Sequence, residues 1–178
     1  MIEGIPDLEK YRVVLVTRDP RDILVSGYYS IAYSHSIPNK EGDKHDNFIL
    51  SRAKARESTI DDYVISESDK VYDIFSRYQT LLIDKYENIY LTTYEQMVLD
   101  FQAWLTDLFN YCEFDLSGEF IQTLLRENED KKPKKENIHQ HIRKGQPGDY
   151  KQKLKPETTG YLDEKFGALL KKYHYNQT

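Results

Sequence analysis

Tyr11-Arg12-Val13-Val14-Leu15-Val16-Thr17-Arg18-Asp19-Pro20-Arg21-Asp22 is a β-branched apolar run that turns, without a linker, into a helix start. Both faces of Tyr11 to Thr17 are apolar, the pattern of an interior parallel strand. Asp19 has the side chain of an N-cap, Pro20 suits the first helical position, and Asp22 falls in the first turn, where the helix dipole favours an anion. Ile23, Leu24, Tyr28 and Ile31 then recur at helical spacing. A strand delivered directly into a capped helix is the building unit of an α/β sheet.

The rest of the chain extends this pattern. Residues 34–57 lose periodicity, and the polar stretch from Ser34 to Asn47, with Pro38 and Gly42, reads as a long mobile loop over a binding site. Val64, Val71, Ile74, Phe75, Tyr78, Leu81 and Leu82 predict one helix from Ile60 to Tyr86. Asn88 to Thr93 reads as a second strand, and Glu95 to Tyr111 as a helix with Met97, Phe101, Trp104, Leu105 and Leu108 on its apolar face. Ser117 caps another helix running to Arg126, and Pro156 opens a last one to Tyr173. The expected architecture is a single α/β domain over residues 1–178, with a small parallel sheet flanked by helices.

The chain has 178 residues, enough for one core. Its mean hydropathy is −0.74, and no apolar run reaches the length of a membrane span or a signal-peptide core. One cysteine, Cys112, excludes an internal disulfide and a multi-cysteine metal site and fits a reducing compartment, so a cytoplasmic address is expected. The net charge of −5 argues against nucleic acid as a partner. That charge is unevenly spread: residues 131–155 hold nine basic against two acidic side chains, +7, leaving −12 elsewhere. A basic island in an acidic chain suits a discrete anionic ligand; a solvated lysine-rich loop is the plainer alternative.

Two segments carry candidate chemistry. The first is Arg18, at the carboxyl edge of the sheet, with Ser26 on the following helix. Six residues separate Ser26 from Pro20, roughly 9 Å of helix, so a guanidinium and a hydroxyl can grip one phosphate. The plain alternative is a good helix start and a surface serine. The second is Arg143-Lys144-Gly145, followed by Gly148-Asp149-Tyr150-Lys151, in which a glycine lets backbone approach an anion beside two cations. A flexible basic loop is its alternative. His139 and His141 read as ordinary loop residues without a third metal ligand, and Tyr28, Tyr29 and Tyr33 as packing with solvated hydroxyls rather than a stacking surface.

Taken together, Arg18-Asp19-Pro20-Arg21-Asp22 with Ser26, Tyr94-Glu95 after a strand, and Arg143-Lys144-Gly145 with Gly148-Asp149-Tyr150-Lys151 resemble the cytosolic-type sulfotransferase family in order and spacing. The resemblance runs from Tyr11 to Tyr173. It implies a P-loop-NTPase-like fold and transfer of a sulfuryl group from 3'-phosphoadenosine 5'-phosphosulfate (PAPS) to a hydroxyl or amine acceptor, leaving the bisphosphate PAP. It implies that Arg18, Ser26, Arg143, Lys144 and Gly145 hold the 3'-phosphate and that Tyr94 contacts the adenine. No metal, nucleic acid or membrane is implied, and the acceptor is left open. The family's phosphosulfate loop with its lysine has no counterpart in this sequence, and its catalytic histidine would align before Met1. The expectation is therefore a domain lacking its N-terminal strand and phosphosulfate loop, with no catalytic residue assignable. A non-catalytic or truncated scaffold is the alternative reading, and a nucleotide kinase is disfavoured because no GxxxxGK[ST] loop occurs.

Overall fold

A computed structural model describes residues 6–38 and 42–175. They form a mostly helical α/β arrangement with one two-stranded parallel sheet, which divides into two compact units. Residues 1–18 and 73–132 make the first unit, and residues 19–72 and 133–178 the second.

In the first unit β1 (Val13–Thr17) pairs with β2 (Ile89–Thr93) in parallel, from Val13 opposite Ile89 to Thr17 opposite Thr93. β1 begins two residues later than the sequence suggests and β2 one residue later, because Tyr11 and Asn88 are spent on stitching. Asn88 Nδ2 donates to the Leu8 and Tyr11 carbonyls at 2.8 and 2.5 Å, and the Tyr111 hydroxyl donates to the Asn88 carbonyl. The interior-strand expectation is corrected: among the described residues β1 has β2 on one side only, and Val16 is 47% exposed.

Three helices follow β2: α4 (Tyr94–Leu99), α5 (Phe101–Cys112) and α6 (Gly118–Lys131). The Thr93 hydroxyl accepts from Gln96 N, and Gln96 Oε1 accepts from Thr93 N, a reciprocal cap that ends the strand sharply. The single helix expected from Glu95 to Tyr111 is broken at Asp100, whose non-helical backbone stops α4 while its carboxylate accepts from Ala103 N at 3.0 Å to start α5. The apolar stripe runs through the break, so periodicity alone hides it. Ser117 caps α6 as expected, accepting from Phe120 N.

The second unit holds α1 (Pro20–Tyr29), α2 (Asp43–Glu57), the first two-thirds of α3 (Ile60–Tyr78), the one-turn α7 (Tyr150–Lys153) and α8 (Pro156–Lys172). Its core is built from Leu24, Val25, Ala55, Val64, Leu162, Phe166 and Tyr173, all buried. Asp61 on α3 accepts from Lys155 N at 3.0 Å, fixing the start of α8. The predicted helix to Tyr86 ends instead at Tyr78 and passes into a π turn, Gln79–Ile83, that belongs to the first unit.

The loop expected over residues 34–57 is corrected to a helix from Asp43 onward. It lacks an apolar stripe and is held by charge-assisted bonds to backbone. Residues Ser30–Ser34 form a π turn capped by His35, and arginines of α2 bond to the carbonyls of this stretch: Arg52 Nε donates to Ile31 at 2.9 Å, Arg56 Nε to Ala32 at 2.7 Å, and Arg52 Nη2 to His35. Arginine-to-carbonyl anchoring leaves no period in hydrophobicity. Residues 39–41 of that segment, and the terminal 176–178, lie outside the described residues.

Candidate functional site

At the carboxyl end of the sheet the strands finish level, Thr17 opposite Thr93, which places Arg18 and Tyr94 each one residue beyond. The Arg18 guanidinium lies over the Tyr94 ring, 4.6 Å from its centroid, a cation–π contact. Behind them the buried Thr92 hydroxyl accepts from Trp104 Nε1 at 2.9 Å and donates to Gln96 Oε1 at 3.1 Å, anchoring the end of β2. Within the first unit one cation and one aromatic face are thus held together.

In the second unit the remainder of the strand-to-helix motif has a part that its sequence did not disclose. Asp19 caps α1 by accepting from Arg21 N at 2.9 Å, as expected, but it also takes the Arg21 side chain through Nε and Nη2. Arg21 further bridges Asp163 on α8 at 2.6 Å and lies over the Tyr150 ring at 4.2 Å. Burial opposes its charge, and the Asp19 and Asp163 carboxylates outweigh that, raising its pKa above the ordinary value. Burial likewise pushes the Tyr150 phenol up to about 12. Asp22, with no exposed surface, accepts from Gly148 N at 2.6 Å and Tyr150 N at 3.0 Å. Asp19, Arg21 and Asp22 therefore fasten the segment from Gly148 to Tyr150 onto α1.

That fastening presents Arg143, Lys144 and Gly145. Asp149, its side chain 1% exposed, accepts from Arg143 Nη2 and, at 2.8 Å, from Lys144 Nζ. Arg143 also reaches Glu136 through Nη1, and its guanidinium lies 4.2 Å over the Tyr29 ring. Lys144 makes a second bond to Gln152 Oε1 at 2.9 Å. Gly145 has φ +64°, and a Cβ there would stand 2.9 Å from Pro133 Cδ, so both backbone and space demand glycine. Ser26 lies one turn before Tyr29 on the same face of α1, and its hydroxyl makes no hydrogen bond among the described residues. Of the expected site residues, the structure joins Arg18 to Tyr94 in one unit. In the other it joins Arg143 to Lys144 through Asp149 and packs Gly145 against Pro133. The expectation that Tyr29 is packing only is corrected, since its ring is the platform for Arg143. The signal available was its spacing from Ser26; the partner 114 residues away was not legible.

A planar guanidinium, an ammonium, a hydroxyl and a left-handed glycine are the kinds of group from which phosphate sites are built, and here the two cations are paired with Asp149 and Glu136. Among the described residues no group of three His, Cys, Asp or Glu is arranged to hold a metal ion, and no helix is long and apolar enough to cross a membrane.

The internal ion pairs make stability acid-sensitive. Burial works to raise the pKa values of Asp149, Glu136 and Asp61. Lys144 and Arg143 on Asp149, Lys153 and Arg143 on Glu136, and Thr158 with the Lys155 backbone on Asp61 outweigh it, leaving all three below the ordinary carboxylate range. Depressed folded-state values contribute stability that is complete above the unfolded pKa, about 4, and is lost as pH falls through the folded values. Urea midpoints measured between about pH 6 and 3 should therefore fall steadily below about pH 5, and Asp149→Asn should flatten that decline.

With the site built, the family follows. A profile of the sulfotransferase domain matches residues 7–174, and the chain belongs to that family. Among solved structures it is similar to mouse sulfotransferase SULT7A1, whose crystal structure is a complex with PAP. The TM-score is 0.52 at 19% identity, over 94% of this chain and 65% of that one. At that identity the likeness concerns the fold. No curated protein sequence matches significantly.

Proposed function

We propose that this chain binds PAPS and its product PAP through the 3'-phosphate, as the nucleotide-holding part of a sulfotransferase acting on a hydroxyl or amine acceptor. Arg143 and Lys144 side by side on left-handed Gly145, with Ser26 one turn from the ring beneath Arg143, is the observation that carries the reading. Ser26, Arg143, Lys144 and the Gly145 N–H are the proposed phosphate contacts of the second unit. Arg18 is the proposed phosphate contact of the first, with Tyr94 for the adenine. When bound, PAPS supplies the sulfuryl group; these residues hold the nucleotide and set its orientation. The membership of the family and the PAP bound to the mouse protein support the assignment.

Calorimetry with PAP and adenosine 5'-monophosphate tests it. Arg18→Ala and Arg143→Ala should each weaken PAP binding by about tenfold to thirtyfold, the loss of one charge-assisted contact, while the monophosphate is hardly affected. Equal losses for both nucleotides would sink the assignment. A second reading, a non-catalytic scaffold of the same family, is favoured by the carboxylates that already neutralise Arg143 and Lys144. It requires no heat on adding PAP and no turnover with PAPS and broad acceptors.

A further inference from the structure

The Arg143 fork is occupied on two sides by unequal partners. Asp149 is almost fully covered and shared with Lys144. Glu136 lies in the irregular segment after α6, its side chain 31% exposed, and takes a second cation, Lys153 Nζ, at 3.1 Å. Both cations lie over one ring: Arg143 is 4.2 Å and Lys153 is 5.7 Å from the Tyr29 centroid. Tyr29, Arg143 and Lys153 thus form a cradle in which two cations converge on one oxyanion, and the oxyanion in place is the chain's own carboxylate.

We infer that Glu136 is a built-in competitor for the phosphate, and that Lys153 is a further phosphate ligand, engaged when phosphate replaces the Glu136 carboxylate. The inference deepens the nucleotide reading and rests on it. Asp149 cannot leave without stripping Lys144 as well, whereas Glu136 is bound only at its tip and reaches water by a side-chain rotation. The exchange replaces a monoanion with a dianion that has three acceptor oxygens, so phosphate gains more from two converging cations than the carboxylate does. Displacing Glu136 still subtracts from net affinity. The device keeps Arg143 and Lys153 ordered in the free chain while discriminating against weak monoanions.

Calorimetric titration of PAP into the full chain decides the matter, with thermal melts confirming that each variant folds. Glu136→Gln should bind about fivefold more tightly, and Lys153→Ala about tenfold more weakly. Glu164→Gln, an equal charge change at an exposed position of α8 outside the cradle, should stay within about twofold. A Glu136→Gln affinity equal to wild type, a gain matched by Glu164→Gln, or an unchanged Lys153→Ala overturns the exchange. If the wild type binds PAP and Glu136→Gln merely equals it, the nucleotide reading stands and the exchange alone falls. If neither form binds PAP, both fall.

Discussion

Asp22→Ala is expected to remove about 3 kcal/mol of folding stability. The residue has no exposed surface and accepts two backbone N–H groups, from Gly148 and Tyr150, at 2.6 and 3.0 Å. Alanine leaves both donors unmet inside protein, and each costs about 1 to 3 kcal/mol when water cannot replace the acceptor. Asp22→Asn keeps one oxygen and should lose about half as much. Urea denaturation measures the difference. Were Asp22 only a favourable charge in the first turn, the alanine variant would lose less than about 1 kcal/mol. Limited proteolysis adds a local readout. Freed from Asp22, the backbone around Lys144 and Lys151 should become the preferred tryptic site, and an unchanged cleavage pattern would refute the fastening role.

Asp149→Ala should cost about 3 kcal/mol by a different route. Here one buried carboxylate serves two cations, and removing it strands charges whose side chains are 10% and 20% exposed. Arg143 keeps Glu136, whereas among the described residues Lys144 keeps only the neutral Gln152, so the lysine carries most of the loss. A double-mutant cycle with Lys144→Ala should show coupling above about 1 kcal/mol. Coupling below about 0.5 kcal/mol would mean that the pair contributes no more than an exposed ion pair.

Both predictions concern residues whose types were visible in the sequence while their partners were not. Asp22 read as a first-turn acid, which it is, but its two N–H donors are more than 120 residues away. Asp149 stood within the glycine-rich stretch with no role attached. Tyr29 read as packing and proves to be the surface on which Arg143 rests. The helix over residues 43–57 was missed because arginine bonds to the carbonyls of a π turn hold it, and such bonds leave no apolar period. The break at Asp100 was missed for the opposite reason: the period continues through it.

What the sequence determined by itself is local. The caps at Asp19 and Ser117, the proline starts of α1 and α8, and the two β-branched strands depend on neighbours within a few residues, so their signals are contiguous. The joint spacing of the cationic motifs was also enough to indicate the sulfotransferase family. Tertiary structure alone decided how charge is distributed among those cations. Each buried carboxylate has several donors within reach of a folded chain, and low dielectric makes the pairing strong once geometry selects it. That selection ties Asp22 to Gly148 and Tyr150, Asp149 to Arg143 and Lys144, and Glu136 to Arg143 and Lys153. Residue types fix which charges exist; only the fold fixes which of them neutralise one another and which can be surrendered to a ligand.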